Sequence, residues 1–234
     1  VDIYTWDSIT VQNYGYVDFD SAVTVTDVYL EEYGRLEVDV TITATNVLLE
    51  NRGNLEMESG GTVTYTNFKW VGGMITDNGG TLALLGSGVD LEVPAGSVYV
   101  ANTARTFDDV MVLGTITHSA NETSEVYKID LTVGGDMVIA ETGAIDVDEK
   151  GYARSEGPGA GGDSSSGGGG GGYGGAGGAG APGSNGGVTY GSETQPVNIG
   201  SGGGIDSAGG GSGGGAVKLD ITGSLELSGI ITAK

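Results

Sequence analysis

Between Val1 and about Val147, apolar and polar residues alternate at almost every step, as in Val23-Thr-Val-Thr, Leu36-Glu-Val-Asp-Val-Thr-Ile-Thr, Leu55-Glu-Met and Val63-Thr-Tyr. A period of two in Val, Ile, Thr and Tyr marks strands with one buried face, because successive side chains leave a pleated backbone on opposite sides. No stretch of a dozen residues carries a 3.6-residue period, so the pattern predicts an all-β chain with almost no helix.

A repeat underlies the alternation. Val28-Tyr-Leu-Glu-Glu-Tyr-Gly-Arg-Leu-Glu-Val aligns with Val47-Leu-Leu-Glu-Asn-Arg-Gly-Asn-Leu-Glu-Met, which puts Gly34 over Gly53 and Leu36 over Leu55. The same step from glycine into a short alternating run returns at Gly80, Gly96, Gly143 and Gly223. On this reading the glycine allows a turn with positive φ, and the next apolar pair points inward from a short strand. Repeats of about twenty residues that cannot bury a face alone become stable when stacked, which predicts a parallel β-solenoid. An antiparallel β-sandwich also has short alternating strands and is the alternative fold.

From Gly151 to Gly215 the pattern disappears into runs such as Gly167 to Gly172, Gly202-Gly-Gly and Gly209-Gly-Gly-Ser-Gly-Gly-Gly. Composition alone reads this as a flexible linker. Alternation resumes after it, in Ala216-Val-Lys-Leu-Asp-Ile-Thr-Gly-Ser-Leu-Glu-Leu, so the tract reads instead as a long loop inserted between two adjacent coils. The expected layout is coils over 1–150, a glycine-rich excursion over 151–215, and final coils over 216–234 belonging to the same domain as 1–150. Extended glycine segments can pack closely, and the tract is expected to be at least partly ordered.

Charge and composition narrow the partners. Acidic residues number 31 against 9 basic ones, a formal charge of -22, which opposes binding to nucleic acid or anionic membranes. With no cysteine, stability has to come from backbone ladders and stacked apolar rows. No run of about 18 apolar residues predicts a membrane span, and the start VDIYTWDSITV lacks the pattern of a signal peptide; removal of a signal, or a cut from a longer chain, would leave such a start.

Leu131-Thr-Val-Gly-Gly-Asp-Met-Val-Ile-Ala-Glu-Thr-Gly-Ala-Ile-Asp-Val, the Gly-Gly loops and the run from Gly213 to Ala233 together resemble the glycine-rich right-handed β-helix domains of bacterial and archaeal surface proteins and adhesins. The likeness covers roughly the last 105 residues; the first half shares only the coil pattern. It implies a secreted scaffold displayed as a stalk, adhesin or fibre, with no shared catalytic site. Gly167 to Gly180 also looks like the polyglycine loops of phage tail-tip adhesins.

Candidate chemistry is sparse. Glycoside hydrolysis needs two carboxylates about 5 to 9.5 Å apart, which Asp108 with Asp109, or Asp146 with Asp148 and Glu149, could supply from coils about 4.8 Å apart. Local salt links with Arg105, Lys150 and Arg154 explain these acids without catalysis. The one histidine, His118, excludes a multi-histidine metal centre and is read as a surface residue near a coil corner. Asp146, Asp148 and Glu149 form the candidate calcium site, since hard oxygen donors suit that ion; no other cofactor is expected. Asn121-Glu-Thr has the pattern of a glycosylation acceptor.

These features favour a non-catalytic, extracellular structural or adhesive protein, either a filament subunit assembling head to tail or a stalk segment between adjacent solenoid segments. Ile3, Trp6, Ile9 and Val11 at one end, and Leu225, Leu227, Ile230 and Ile231 at the other, are the expected assembly residues, because a solenoid exposes apolar coils and unpaired strand edges at its ends. The tyrosines, including Tyr4, Tyr14, Tyr16, Tyr29, Tyr33 and Tyr173, with Trp6 and Trp70, are expected chiefly to stack as ladders within the solenoid, the alternative being a surface for glycans or a partner. The rival readings are a carbohydrate-active β-helix enzyme and a phage-type receptor-binding tip.

Overall fold

The computed structural model describes residues 4–207 and 209–234, and among these every secondary-structure element is a β-strand. Four sheets hold them. The first runs in the order Tyr4–Val11, Val23–Leu30, Thr41–Leu49, Thr62–Thr64 and Thr81–Leu82, with Asn67–Trp70 also pairing with Thr41–Leu49. The second runs Tyr16–Val17, Arg35–Val38, Asn54–Met57, Gly73–Asp77, Ser97–Ala101, Thr115–Thr117, Ala144–Asp146 and Ile230–Thr232. The third contains Leu91–Val93, Val110–Val112, Met137–Ile139 and Leu225–Leu227; the fourth contains Arg105–Phe107, Ile129–Val133 and Val217–Ile221.

The strand ladders are mostly parallel, which departs from the pairing of an antiparallel sandwich. The register is that of the repeat, with Val28 opposite Val47 and Leu36 opposite Leu55. In-register parallel pairing places like residues over like. Leu36, Leu55, Ile75, Tyr99, Ile116 and Ile145 follow one another across the second sheet, each at most 1% exposed. Burying one such side chain stabilises by about 1.5–3 kcal/mol, so these columns supply much of the driving force for stacking.

Gly96 takes the positive φ expected of the repeat glycine, but the turns at Gly15, Gly34 and Gly53 correct that role. Gly15, Gly34 and Gly53 each donate to the carbonyl three residues back, closing tight turns whose two central residues carry positive φ: Asn13 and Tyr14, Glu32 and Tyr33, Asn51 and Arg52. It is therefore the two residues before the glycine that take the left-handed conformation, at about 1–2 kcal/mol each. The glycine serves closeness instead. A Cβ on Gly34 would lie 2.0 Å from the carbonyl oxygen of Val11, and one on Gly53 2.3 Å from that of Leu30. Across these turns Glu31 donates to Val11, and Arg35 to Gly15. Tyr14 and Tyr33 stack at 4.7 Å, and the Arg52 guanidinium lies over Tyr33 at 5.2 Å from the ring centre.

The chain forms two compact units. One comprises Val1–Thr117, Asp130–Ile145 and Leu219–Ile230; the other comprises His118–Ile129, Asp146–Lys218 and Ile231–Lys234. The second unit therefore adds His118–Ile129 to the glycine-rich tract, a segment the alternation had placed among the coils.

Within the second unit, described segments of the glycine tract are hydrogen-bonded to one another. Tyr152 and Ser155 donate to the carbonyls of Gly200 and Gly203, whose own N–H groups donate to Gly214 and Gly211. Gly172 and Gly169 likewise donate to Gly159 and Gly162. Each pair of bonds steps by three residues on both segments, the repeat of a polyproline II helix and not of a β-strand. Such a helix makes no internal hydrogen bonds, so its amide groups are free to bond neighbouring segments. At the crossing points the packing leaves no room for side chains: a Cβ on Gly187 would lie 1.8 Å from the Gly159 oxygen, and one on Gly204 2.0 Å from the Gly162 oxygen.

This spacing constraint predicts opposite outcomes at two glycines. Gly53→Ala should lower stability by about 3 kcal/mol or more, because backbone atoms of the preceding strand have to move. Gly86→Ala, where nothing lies within 4 Å of the new Cβ, should be neutral or stabilise by up to about 1 kcal/mol by restricting the unfolded chain. Chemical denaturation of both variants beside the parent checks the pair.

Candidate functional site

Parallel stacking makes the outermost strands chemically different from all others. Leu225 and Leu227 pair in register with Met137 and Ile139, which pair with Val110 and Val112, and these with Leu91 and Val93. The six earlier residues are at most 2% exposed, whereas Leu225 is 45% and Leu227 50% exposed. Ile230 and Ile231 are exposed as well. At one edge of the first sheet, Tyr4–Val11 is an outermost strand with Trp6 exposed and packed edge-on against Phe19. Ile9 and Val11 point into the core instead, at 5% and 2% exposure, opposite Val28 and Leu30. Ile3 lies outside the described residues.

The candidate calcium ligands are not gathered around a common point. Among the described residues no group of three or more Asp, Glu or His side chains is arranged to hold a metal ion. Asp146 accepts from the Asp148 N–H, and Asp148 accepts from the Thr232 hydroxyl and the Lys234 N–H, which hold its carboxyl below the usual range. Glu149 occupies the left-handed region of the turn.

Arg105 corrects a second expectation. Its guanidinium grips Asp77, not Asp108 or Asp109, through Nε at 2.7 Å and a second nitrogen at 2.5 Å, and also donates to the Gly80 carbonyl. Asp77 is fully buried and accepts a third bond, at 2.8 Å, from the Tyr99 hydroxyl. Tyr99 stands in a column otherwise made of aliphatic residues, so its phenol enters the core and requires an acceptor. Burial, reinforced by the Asp77 charge, pushes that phenol well above its ordinary pKa. The Asp77 hydrogen bonds raise the Arg105 pKa further. A lone tyrosine in the column, Gly96-Ser-Val-Tyr-Val, is the trace of this cluster in the sequence.

Aspartates form a second unforeseen arrangement. Asp90 accepts from the Asp109 N–H at 3.1 Å, Asp109 from the Asp136 N–H at 2.7 Å, and Asp136 from the Ser224 N–H and hydroxyl at 2.7 and 2.8 Å. Each residue immediately precedes a strand of the third sheet, so each carboxylate secures the start of the next strand. The two bonds from Ser224 hold the Asp136 carboxyl below its usual range. The sequence signal is an Asp before each alternating run, in Asp90-Leu-Glu-Val, Asp109-Val-Met-Val and Asp136-Met-Val-Ile.

In the second unit His118 is fully buried, contrary to the surface position expected of it. Its Nδ1 lies 2.8 Å from the Ser119 carbonyl and its Nε2 3.3 Å from the Ala216 N–H. That pattern assigns the proton to Nδ1 and leaves Nε2 as an acceptor. Asn121 is also buried and uses its whole amide: two bonds donated to the Tyr127 and Lys150 carbonyls, and two accepted from the Val126 and Tyr127 N–H groups. Asn121 of the Asn121-Glu-Thr triplet is thus an internal brace, with its amide nitrogen already committed.

No helix among the described residues is long and apolar enough to cross a membrane. Comparison with protein families, curated proteins and solved structures finds no match to this chain.

The buried imidazole predicts a pH dependence. Desolvation, with a smaller contribution from the Lys150 charge, lowers the His118 pKa below its ordinary 6.5, so the folded state favours the neutral ring. Above pH 6.5 both states are neutral and stability is full. As pH falls below that value the unfolded chain takes up the proton first, and stability declines. Thermal unfolding between pH 7.5 and 5.5 should show a falling midpoint, and His118→Gln should flatten the slope over that range.

Proposed function

We propose that this chain is a non-catalytic extracellular structural module, a parallel β-solenoid whose outermost strands stack on further strands of the same kind to build a filament. Support for the solenoid comes from the order in which the chain visits its sheets. Arg105–Phe107, Val110–Val112 and Thr115–Thr117 lie in the fourth, third and second sheets; Ile129–Val133, Met137–Ile139 and Ala144–Asp146 repeat that order, and Val217–Ile221, Leu225–Leu227 and Ile230–Thr232 repeat it again. Three passes through the same sheets in the same sequence are what successive coils produce.

The observation that carries the assembly reading is the exposure of Leu225 and Leu227 at register positions buried in every preceding strand. Their side chains have the identity and spacing of core residues, and the strand's outer backbone groups are available for one more parallel ladder. A second copy that presents an outermost strand such as Tyr4–Val11 covers both. The contact is head to tail, so it propagates into a fibre when its rotation does not close a ring. The acidic residues weighed for hydrolysis fit a scaffold, since Asp109 and Asp148 already accept intramolecular hydrogen bonds.

Sedimentation velocity and negative-stain microscopy over a concentration series test this assembly. The parent chain should form oligomers that grow with concentration, and a Leu225→Glu, Leu227→Glu double variant should remain monomeric with an almost unchanged melting point, because it alters only exposed positions. A parent chain that stays monomeric at every concentration contradicts the filament.

A further inference from the structure

A groove in the first unit fits a ligand that none of the structural roles above requires. Two cavities, of about 320 and 450 Å³, share Asp90, Leu91 and Glu92 as common wall. The first is completed by Tyr65, Phe68, Trp70, Leu84 and Pro94, and the second by Asp109, Val110, Met111, Asp136 and Val138. One end is thus aromatic, with Tyr65 and Phe68 tilted against each other at 5.1 Å between ring centres. The other end is an open shelf along the aspartates that precede the third-sheet strands.

Three features define the ligand. Partly exposed aromatic rings offer faces for C–H groups and bury substantial apolar area when covered. The carboxylates Asp90, Glu92, Asp109 and Asp136 are acceptors only, so the ligand has to bring donors. Finally, the indole Nε1–H of Trp70 is buried without any partner in the protein, and such a donor is normally paired. A ligand oxygen reaches it once the Trp70 ring shifts against the bound molecule, whereas an ammonium ligand offers no acceptor. A molecule with C–H faces, O–H donors and oxygen acceptors together is a sugar. Neither cavity is lined by Lys, Arg or His, so sulfated and uronate sugars would meet like charge without compensation.

We infer that the groove binds a neutral oligosaccharide, with one ring against Tyr65, Phe68 and Trp70 and the adjoining sugar donating hydroxyls to Asp90, Glu92 and Asp109. The contiguous cavities supply at least two subsites. The inference does not depend on filament formation, since all of these residues lie within one unit.

The test applies the full chain to an array of neutral hexose and N-acetylhexosamine oligosaccharides, with uronate, sulfated and polyglucosamine chains alongside, and then titrates the best neutral oligosaccharide by calorimetry. Neutral oligosaccharides should bind, and the acidic ones should not. Trp70→Phe keeps the ring and removes the N–H; it should weaken binding about tenfold, the loss of roughly one hydrogen bond to a buried donor. Glu92→Gln alters an exposed side chain and should weaken binding severalfold at unchanged melting temperature. Binding of none of the neutral oligosaccharides, preference for the cationic polyglucosamine, equal binding of acidic sugars, or full affinity in both variants would each overturn the assignment.

Discussion

Close approach of backbone to backbone is the constraint on which this protein rests. In the first unit it brings in-register parallel strands together at turns where a single methyl group would collide with the preceding strand, as at Gly34 and Gly53. In the second it brings extended glycine segments so near that their amides bond across a three-residue step. Both use the absence of a side chain, and for the same reason. The free energy lost in ordering each glycine, about 1–2 kcal/mol of backbone entropy, has to be met by hydrogen bonds and packing that only glycine permits.

From this closeness the columns follow. Like residues stack over like, so the apolar positions become continuous buried rows and the polar positions become ladders, such as Asn67 to Asn46 to Asp27. A column tolerates a polar atom only with a partner, which explains why Tyr99 is accompanied by buried Asp77 and why Asp77 is gripped by Arg105. It also explains the contrast at Leu225 and Leu227, residues of core character with no further strand over them among the described residues.

Much of the first unit was legible in the sequence. Strand period and the 19-residue offset read from Leu36 over Leu55 reappear as the observed pairing, because parallel in-register strands convert sequence repeats directly into contacts. What could not be read was anything set by proximity between non-repeating residues. Arg105 stands three residues from Asp108 but reaches Asp77, 28 positions away, and His118 lies buried beside Ala216, 98 positions away. The expected assembly residues divide likewise: Trp6, Leu225, Leu227, Ile230 and Ile231 are exposed, while the alternation alone did not reveal that Ile9 and Val11 are covered. The glycine tract is the hardest case. Its composition fits a flexible linker and its place between two alternating runs argues for partial order, but the partners that make a lattice of it are visible only in the hydrogen bonds.

Amide hydrogen exchange across 151–215, followed by mass spectrometry, tests this account most directly. An interlocked glycine lattice predicts slow exchange through segments such as 169–172 and 200–204, with protection approaching that of the strands in 23–57. Exchange at the rate of an unstructured peptide throughout the tract, with the strands still protected, would contradict it.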